Sequence, residues 1–319
     1  MKPLKNIFLF TFSCFLYISS LSQDPQFTQT FAGMNYNNPS FTGSDTSGIV
    51  SIAHRNQWPK LSGTYQTTIV GWQQYISPLN SYAGIHYMFD VSGAMTTQRI
   101  SFSYAQNIKI KKLLLRPSLE GAFFHKSIDW SQLTFGDMID PRRGFIYQTG
   151  DVPRAGTTSN IDFSVGLLAN FYHISMGISV HHLTEPDESL VTGKSSLPIK
   201  IGFQAGYNFA FLTPWFFSII QPYIIFYNQA QFQNLNFGLN TKVNDFLIGF
   251  NYRRNDSYAF MAGFTKWKAR ISYCYEITNS TLGNENTGGT HEFSLAYCFW
   301  KCKAHKKYMN ENRNAFDLF

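Results

Sequence analysis

From Ile199 the chain alternates with period two, placing Ile199, Ile201, Phe203, Ala205, Tyr207 and Phe209 on one face and Lys200, Gly202, Gln204, Gly206 and Asn208 on the other. Successive side chains of a β-strand point to opposite faces, so the pattern separates a large apolar face from a small, polar one. The split recurs with Tyr172, Ile174, Met176, Ile178 and Val180 against His173, Ser175, Gly177, Ser179 and His181. It appears again with Phe293, Leu295, Tyr297 and Phe299 against Glu292, Ser294, Ala296 and Cys298. A soluble sandwich also alternates, but it has no use for an aromatic outside paired with a small, polar lining; a barrel in a bilayer needs both.

Composition agrees. Hydrophobic residues make up 44% and charged residues only 14%, and the 31 Phe and 18 Tyr exceed what a soluble core requires. Lys2 and Lys5, the apolar run Ile7 to Ile18 and the small-residue pattern Ser20-Leu21-Ser22 read as an export signal over residues 1–22. After Gln23 no segment reaches the roughly 18 consecutive apolar residues of a membrane helix. The best, Phe211 to Ile225, is broken by Thr213, Pro214, Ser218, Gln221 and Pro222. A chain of this kind crosses a bilayer by satisfying its backbone between strands of a closed barrel.

Alternating runs fall near 48–58, 61–76, 81–89, 98–109, 113–126, 159–170, 172–182, 198–211, 216–228, 231–242, 244–253, 257–265, 268–277 and 290–300. The expected fold is therefore all-β, a transmembrane antiparallel barrel of about 14 strands. The run 216–228 is apolar on both faces and fits the pattern least well. From a periplasmic amino terminus every even-numbered connection is short, and the long ones, Ser127 to Thr158, Leu183 to Leu197 and Thr278 to Gly289, are all odd-numbered. Short periplasmic turns and long extracellular loops follow, with both termini periplasmic in an outer membrane. Lys109, Lys111, Lys112, Lys242, Lys266 and Lys268 then mark a basic inner rim, opposite outer loops carrying Asp129, Asp137, Asp140, Asp151, Glu185, Asp187, Glu188 and Glu285. Anionic lipid headgroups or an acidic periplasmic partner would suit that rim, and the compartment excludes nucleic acid.

The barrel is expected over residues 48–300, followed by a basic periplasmic tail, 301–319, in which Lys301, Lys303, Lys306 and Lys307 are candidate partner-docking residues. The segment 23–47, with few charges and the turn formers Asn37-Asn38-Pro39 and Thr42-Gly43, has two readings: a plug in the lumen mouth or a disordered periplasmic lead. Inward parity puts Arg116, Glu120, Asp162, His173, His181, Lys200, Arg253, Arg270, Glu276 and Glu292 in the lumen or at its rims, as a structural network or as a conduction or ligand site. Cys298, Cys302 and His305 have loosely metal-like spacing but lack a fourth ligand, and a tight hairpin register would bring Cys274 beside Phe293 and away from Cys298. Neither a GxSxG elbow nor an HExxH pair occurs, so no catalytic residue, cofactor or metal is expected.

Three stretches resemble the PorP/SprF family of type IX secretion and gliding-motility outer-membrane proteins of Bacteroidota. The first is Gln23-Asp24-Pro25-Gln26-Phe27-Thr28-Gln29 with Asn37-Asn38-Pro39-Ser40-Phe41-Thr42-Gly43. The second is His54-Arg55-Asn56-Gln57-Trp58-Pro59. The third is ISYCYEITNSTL from Ile271 to Leu282 with GGTHEFSLAYCF from Gly288 to Phe299. Cys274, Glu276 and Cys298 depart from that family's usual polar or aromatic residues. The resemblance implies a non-enzymatic role in bringing cargo with a carboxy-terminal sorting domain to the surface, alongside outer-membrane lipids and other type IX components such as the periplasmic ring. It also implies structural roles for Arg55, Asn56, Gln57, Trp58, Gly288, Gly289, His291 and Glu292. The alternative from a different class is a passive porin or hydrophobic-solute channel.

Overall fold

The computed structural model describes residues 24–43, 48–63, 65–140, 142–145, 147, 156–190, 194–212, 217–279 and 283–299. Fourteen antiparallel strands close a barrel. The first seven are β1 (Gly48–Gln57), β2 (Tyr65–Ile76), β3 (Ser81–Ser92), β4 (Met95–Gln106, continued by Ile108–Ile110), β5 (Leu113–Ile128), β6 (Thr157–Phe171) and β7 (Ile174–His181). The second seven are β8 (Lys200–Tyr207, continued by Phe209–Leu212), β9 (Phe217–Gln229), β10 (Phe232–Val243), β11 (Phe246–Arg253), β12 (Ser257–Lys266), β13 (Ala269–Thr278) and β14 (Thr290–Cys298). Each strand pairs with its neighbour in sequence, and β1 closes on β14 in a register running from Ile49 opposite Cys298 to Gln57 opposite Thr290. Closure leaves no edge strand among the described residues, and an unpaired edge is what a barrel in lipid must avoid.

Alternation holds around the ring. Phe102, Ile161, Phe246 and Ile248 are outward and about 60% exposed, whereas their neighbours Ser101, Asp162 and Leu247 are buried. The connections fall on two rims, and the long ones share theirs with the short turns 93–94, 230–231 and 254–256. One carries tight turns at residues 77–80, 111–112, 172–173, 244–245 and 267–268, with Asn80, Lys111, Tyr172, Asn244 and Trp267 all in the left-handed region. The other carries the long connections 129–156, 182–199 and 279–289.

Two strands lapse in their pairing for the same reason. β4 breaks at Asn107 opposite Arg116-Pro117, and β8 breaks at Asn208 opposite Gln221-Pro222. Proline has no N–H to give, so the ladder cannot continue through it on that side. Side chains replace the lost bonds: Arg116 Nε donates to Asn107 Oδ1 (2.8 Å) and Gln221 Nε2 donates to Asn208 Oδ1 (2.7 Å).

The lumen is the core of this molecule, and residues 24–43 run inside it. Phe27, Phe31, Ala32 and Tyr36 pack with Ala53, Ile69, Met88, Leu247, Ala259, Met261 and Cys274 of the wall. Phe41 packs with Leu168, Tyr223, Ile225 and Tyr227. Burying each of the four rings contributes about 1.5–3 kcal/mol, an upper figure because the unfolded chain already covers part of that surface. The second cluster explains why β9 is apolar on both faces: one face meets lipid and the other meets Phe41.

Two expectations change. His173 is exposed in the 172–173 turn and does not enter the lumen, because the chain turns over at Tyr172 and inward parity resumes only at Ser175. The β13–β14 register sets Cys274 opposite Glu292, one residue from the place expected beside Phe293, and both Cys274 and Cys298 face the interior.

Candidate functional site

Residues 24–43 meet the barrel wall in three zones. The first is an ionic cluster across the β1–β14 seam. Arg55 reaches Glu276 (3.2 Å) and also pairs with Glu292, while Arg253 reaches the other oxygen of Glu276 (3.1 Å). The segment enters this cluster through its backbone: the Thr28 N–H donates to both Glu292 carboxylate oxygens (2.8 and 3.1 Å) and the Gln29 N–H to one of them (2.9 Å). The Thr28 hydroxyl donates to Glu276 and accepts from Arg55 (3.1 Å) and Arg253 (3.2 Å). Gln29 spans the next layer, donating to the Glu292 carbonyl (3.0 Å) and accepting from Ser272 (2.7 Å) and Ser294 (2.9 Å). Two arginines balance two glutamates, which is the condition under which buried charges are tolerated.

The second zone is centred on Asp24. One carboxylate oxygen accepts from His182 Nε2 (2.9 Å) and Lys200 Nζ (3.0 Å). His182 Nδ1 contacts Asp162 (2.8 Å), and Arg99 links Asp162 (3.4 Å) to Glu120 (3.1 Å). Burial disfavours the His182 cation, but the Asp24 charge and the Asp162 hydrogen bond outweigh it and push its pKa up to about 9. Burial likewise opposes ionisation of Asp24, yet Lys200 and His182 together hold that carboxyl well below the usual carboxylate range. With both imidazole nitrogens facing carboxylates, His182 acts as a doubly donating cation.

The third zone uses neutral groups and a single cation, Arg116. Asn38 caps the turn Pro39–Phe41 through Ser40 N–H (2.9 Å) and donates to Gln204 (2.9 Å) and to the Ile178 carbonyl (3.2 Å). Thr42 donates to Ser103 (2.8 Å), the Gly43 N–H to Gln73 (2.6 Å), and Arg116 to the Gly43 carbonyl (2.9 Å). Glycines in the wall make the room. A Cβ on Gly166 would stand 2.2 Å from Asn38 Oδ1, and one on Gly84 would stand 2.8 Å from Thr42 Cγ2.

The motif residues divide by face. Arg55 and Glu292 enter the seam cluster, and Gln57 accepts from Arg55 Nε (3.4 Å). Asn56 and His291 are cross-strand partners on the outer face, where Tyr273 OH meets His291 Nδ1 (2.8 Å). Trp58 turns out of β1 onto the 279–289 connection: its N–H donates to the Gly289 carbonyl (2.9 Å) and its indole to Thr278 (3.2 Å). Gly288 and Gly289 have φ of 75° and 73°, the left-handed conformation that favours glycine, and the Gly289 carbonyl is the one that meets this turn. Lys301, Lys303, Lys306 and Lys307, and the expected signal at 1–22, lie outside the described residues. Of the parity-assigned residues, Arg116, Glu120, Asp162, His181, Lys200, Arg253, Arg270, Glu276 and Glu292 are all buried. Periodicity does not single out Asp24 or His182, whose one signal is the doubled histidine His181-His182 at a strand end, whereas Arg99 shares the small, inward face of Ser101, Ser103 and Ala105 and parity could have found it.

The family model for type IX secretion system membrane proteins PorP/SprF matches residues 19–297. The chain belongs to the PorP/SprF family. Solved structures with a similar arrangement include the outer membrane protein Omp33 of Acinetobacter baumannii (8% identity over 80% of this chain and 98% of that one, TM-score 0.45). They also include the P. putida toluene transporter TodX (8%, 83% and 93%, TM-score 0.46) and a Pseudomonas aeruginosa FadL homologue (10%, 84% and 94%, TM-score 0.42). No curated protein matches. As a PorP/SprF protein the chain is an outer-membrane barrel component of type IX secretion.

Proposed function

We propose that this PorP/SprF barrel is a non-enzymatic scaffold that assists secretion or surface attachment of cargo with a carboxy-terminal sorting domain, gliding adhesins among them. The long loops face the cell surface, and the short turns and the Phe299 end face the periplasm. The observation that carries this reading is the filled lumen. Residues 24–43 are hydrogen-bonded to strands on all sides, and two cavities beside them among the described residues measure about 80 and 10 Å³. That is room for a few waters at most, not for a stream of solute. Work on cargo is then left to the loops and rims.

On this reading the basic tail serves periplasmic partners. Changing Lys301, Lys303, Lys306 and Lys307 to Glu should leave barrel assembly intact and lower recovery of type IX components in a pull-down from native membranes. Unchanged recovery and unchanged cargo display would make the tail a lipid anchor only, since each lysine near an anionic leaflet already gains about 1 kcal/mol. The channel reading is tested separately by liposome swelling: the purified barrel should admit no small sugars, and co-purification with a sorting domain should accompany that silence.

A further inference from the structure

The outer wall carries a set of polar side chains that the lumen does not explain. Asn56 stands one residue from the end of β1 and His54 three, and His291 is the second residue of β14, so all three lie close below the long-loop rim. Their parity is outward, since their neighbours Arg55 and Glu292 point into the lumen. Asn56 is the cross-strand partner of His291, and His54 that of Phe293. Together with Tyr273 they line a shallow groove of about 480 Å³ across β13, β14 and β1. Within four residues of the same rim, β7, β8, β11 and β12 instead turn out Ile178, Ile201, Phe250 and Phe260, exposed apolar side chains that ask nothing of a lipid but contact.

The groove is arranged to hydrogen-bond outward. His54 Nδ1 meets the Thr68 hydroxyl (2.9 Å) and His291 Nδ1 meets the Tyr273 hydroxyl (2.8 Å). Each ring is thereby fixed with Nε2 as its remaining polar atom, without a partner among the described residues. Asn56 Oδ1 also has no hydrogen-bond partner and is closed to water. At the edge of a bilayer an unpaired polar atom is costly, because little water is there to replace the missing partner. Phe293 and Tyr273, with ring centroids 4.8 Å apart, give the groove an aromatic wall.

We infer that this groove binds the sugar headgroup of a glycolipid in the leaflet on the long-loop side, which on the orientation proposed above is the outer leaflet. Sugar hydroxyls both donate and accept. They match two imidazole Nε2 atoms, each a donor or an acceptor according to its tautomer, and the Asn56 amide, which a turn of its side chain presents with Oδ1 toward the groove. The C–H face of a sugar ring packs on Phe293 and Tyr273. Among the described residues no Lys or Arg lines the groove, which disfavours a phosphate headgroup. Nor does a third His, Cys, Asp or Glu join the two imidazoles there, so the set falls short of a metal site. One step further from the rim the cross-strand pair Ile52 and Leu295 continues the wall as an exposed apolar surface for the acyl chains. The bound headgroup bridges β1 and β14, the strands whose pairing closes the barrel.

The test uses the full-length barrel, purified in a mild detergent and stripped of lipid, with three probes of equal acyl chains: diglucosyl diacylglycerol, phosphatidylglycerol and diacylglycerol. Native mass spectrometry counts the lipid retained, and heat-modifiability confirms the fold. The expected result is a several-fold preference for the diglucosyl lipid over both others, lost when His54→Leu and Asn56→Leu are combined. Equal retention of all three, or of none, overturns the inference, because the groove then meets acyl chains only. A preference for phosphatidylglycerol overturns it too, as does a sugar preference that survives both substitutions. Should that variant not fold, a benzoylphenylalanine in place of Phe293, close to it in shape, decides the matter. In vesicles holding the diglucosyl lipid, light should cross-link it to that lipid well above a benzoylphenylalanine in place of Phe203, which faces out near the same rim on the opposite wall. Equal cross-linking at the two positions, or a cross-link from position 293 to a protein in native membranes, rejects the lipid site.

Discussion

At the long-loop end residues 24–29 are held by charge, whereas at the short-turn end residues 38–43 are held by shape. The first group meets Arg55, Arg253, Glu276, Glu292, His182 and Lys200. The second meets amides, hydroxyls, the Phe41 cluster and wall glycines that admit the segment's own atoms, with Arg116 on the Gly43 carbonyl as its one cation and no carboxylate beside it. Charge fixes which residues must be present but tolerates small shifts of position; clearance of a few tenths of an ångström fixes the path itself. The two ends should therefore fail differently when perturbed.

The largest effect is expected at the seam. Arg55→Leu removes one cation from a buried pair of carboxylates, and such uncompensated charge costs about 3–5 kcal/mol. Because Arg55 sits on β1 and Glu292 on β14, the loss should appear as lowered resistance of the closed barrel to heat and urea, read by gel mobility. A variant as stable as the parent would show that the Thr28 and Gln29 contacts alone hold the seam.

A smaller cost but a new activity is expected at the other end. Gly166→Val places side-chain atoms where Asn38 Oδ1 now stands, 2.2 Å from the Cβ position, and overpacking of this kind costs about 1–3 kcal/mol. The strand ladder does not run through Asn38, whose bonds to the wall are the two it gives to Gln204 and the Ile178 carbonyl, so the barrel should still fold while residues 38–43 lose their seat. Planar-bilayer recordings should then show conductance absent from the parent, and Asn38→Ala should show a weaker version of it. A folded, non-conducting Gly166→Val barrel would mean that the ionic end suffices to keep the lumen shut.

How far each end was legible in sequence follows from the same contrast. Outward and inward faces, the fourteen strands and the sorting of long loops to one rim rest on a period of two, which one sequence displays directly. Glu276, Glu292 and Arg253 are found by that parity. Asp24 is not, since it precedes the first strand and no periodicity governs it. His182 sits one step past the end of β7, where parity stops being informative. The inward glycines Gly84 and Gly166 read only as small lining until Thr42 and Asn38 are seen against them. The doubly apolar β9 was the trace of the lumen segment visible in sequence, but an apolar inner face does not say what covers it. The Cys274 register shifted by one because hairpin pairing depends on the conformation of the 279–289 connection, which residue types leave open.

The smallest effect is a pH dependence confined to the long-loop end. His182 has its pKa raised from 6.5 to about 9, so its contribution is complete below the unfolded value and is lost as pH rises through about 9. Asp24 is shifted the other way, so its contribution is present above its ordinary value of 3.8 and is lost only on acidification. Between about pH 4 and pH 6.5 both contributions are complete, and raising the pH through about 9 removes that of the imidazolium. Lys200 still faces Asp24, so the expected loosening is local and stays below the roughly 3 kcal/mol that a shift from 6.5 to about 9 represents in full. Hydrogen exchange of the amides near residues 24–29 should quicken over that rise, while those near 38–43 and in the strands stay unchanged. Asp24→Asn should weaken the dependence without abolishing it, because His182 then keeps Asp162 as its one charged partner. Equal quickening at residues 38–43 would show that the two ends are one cooperative unit, and the division between charge and shape would have to be given up.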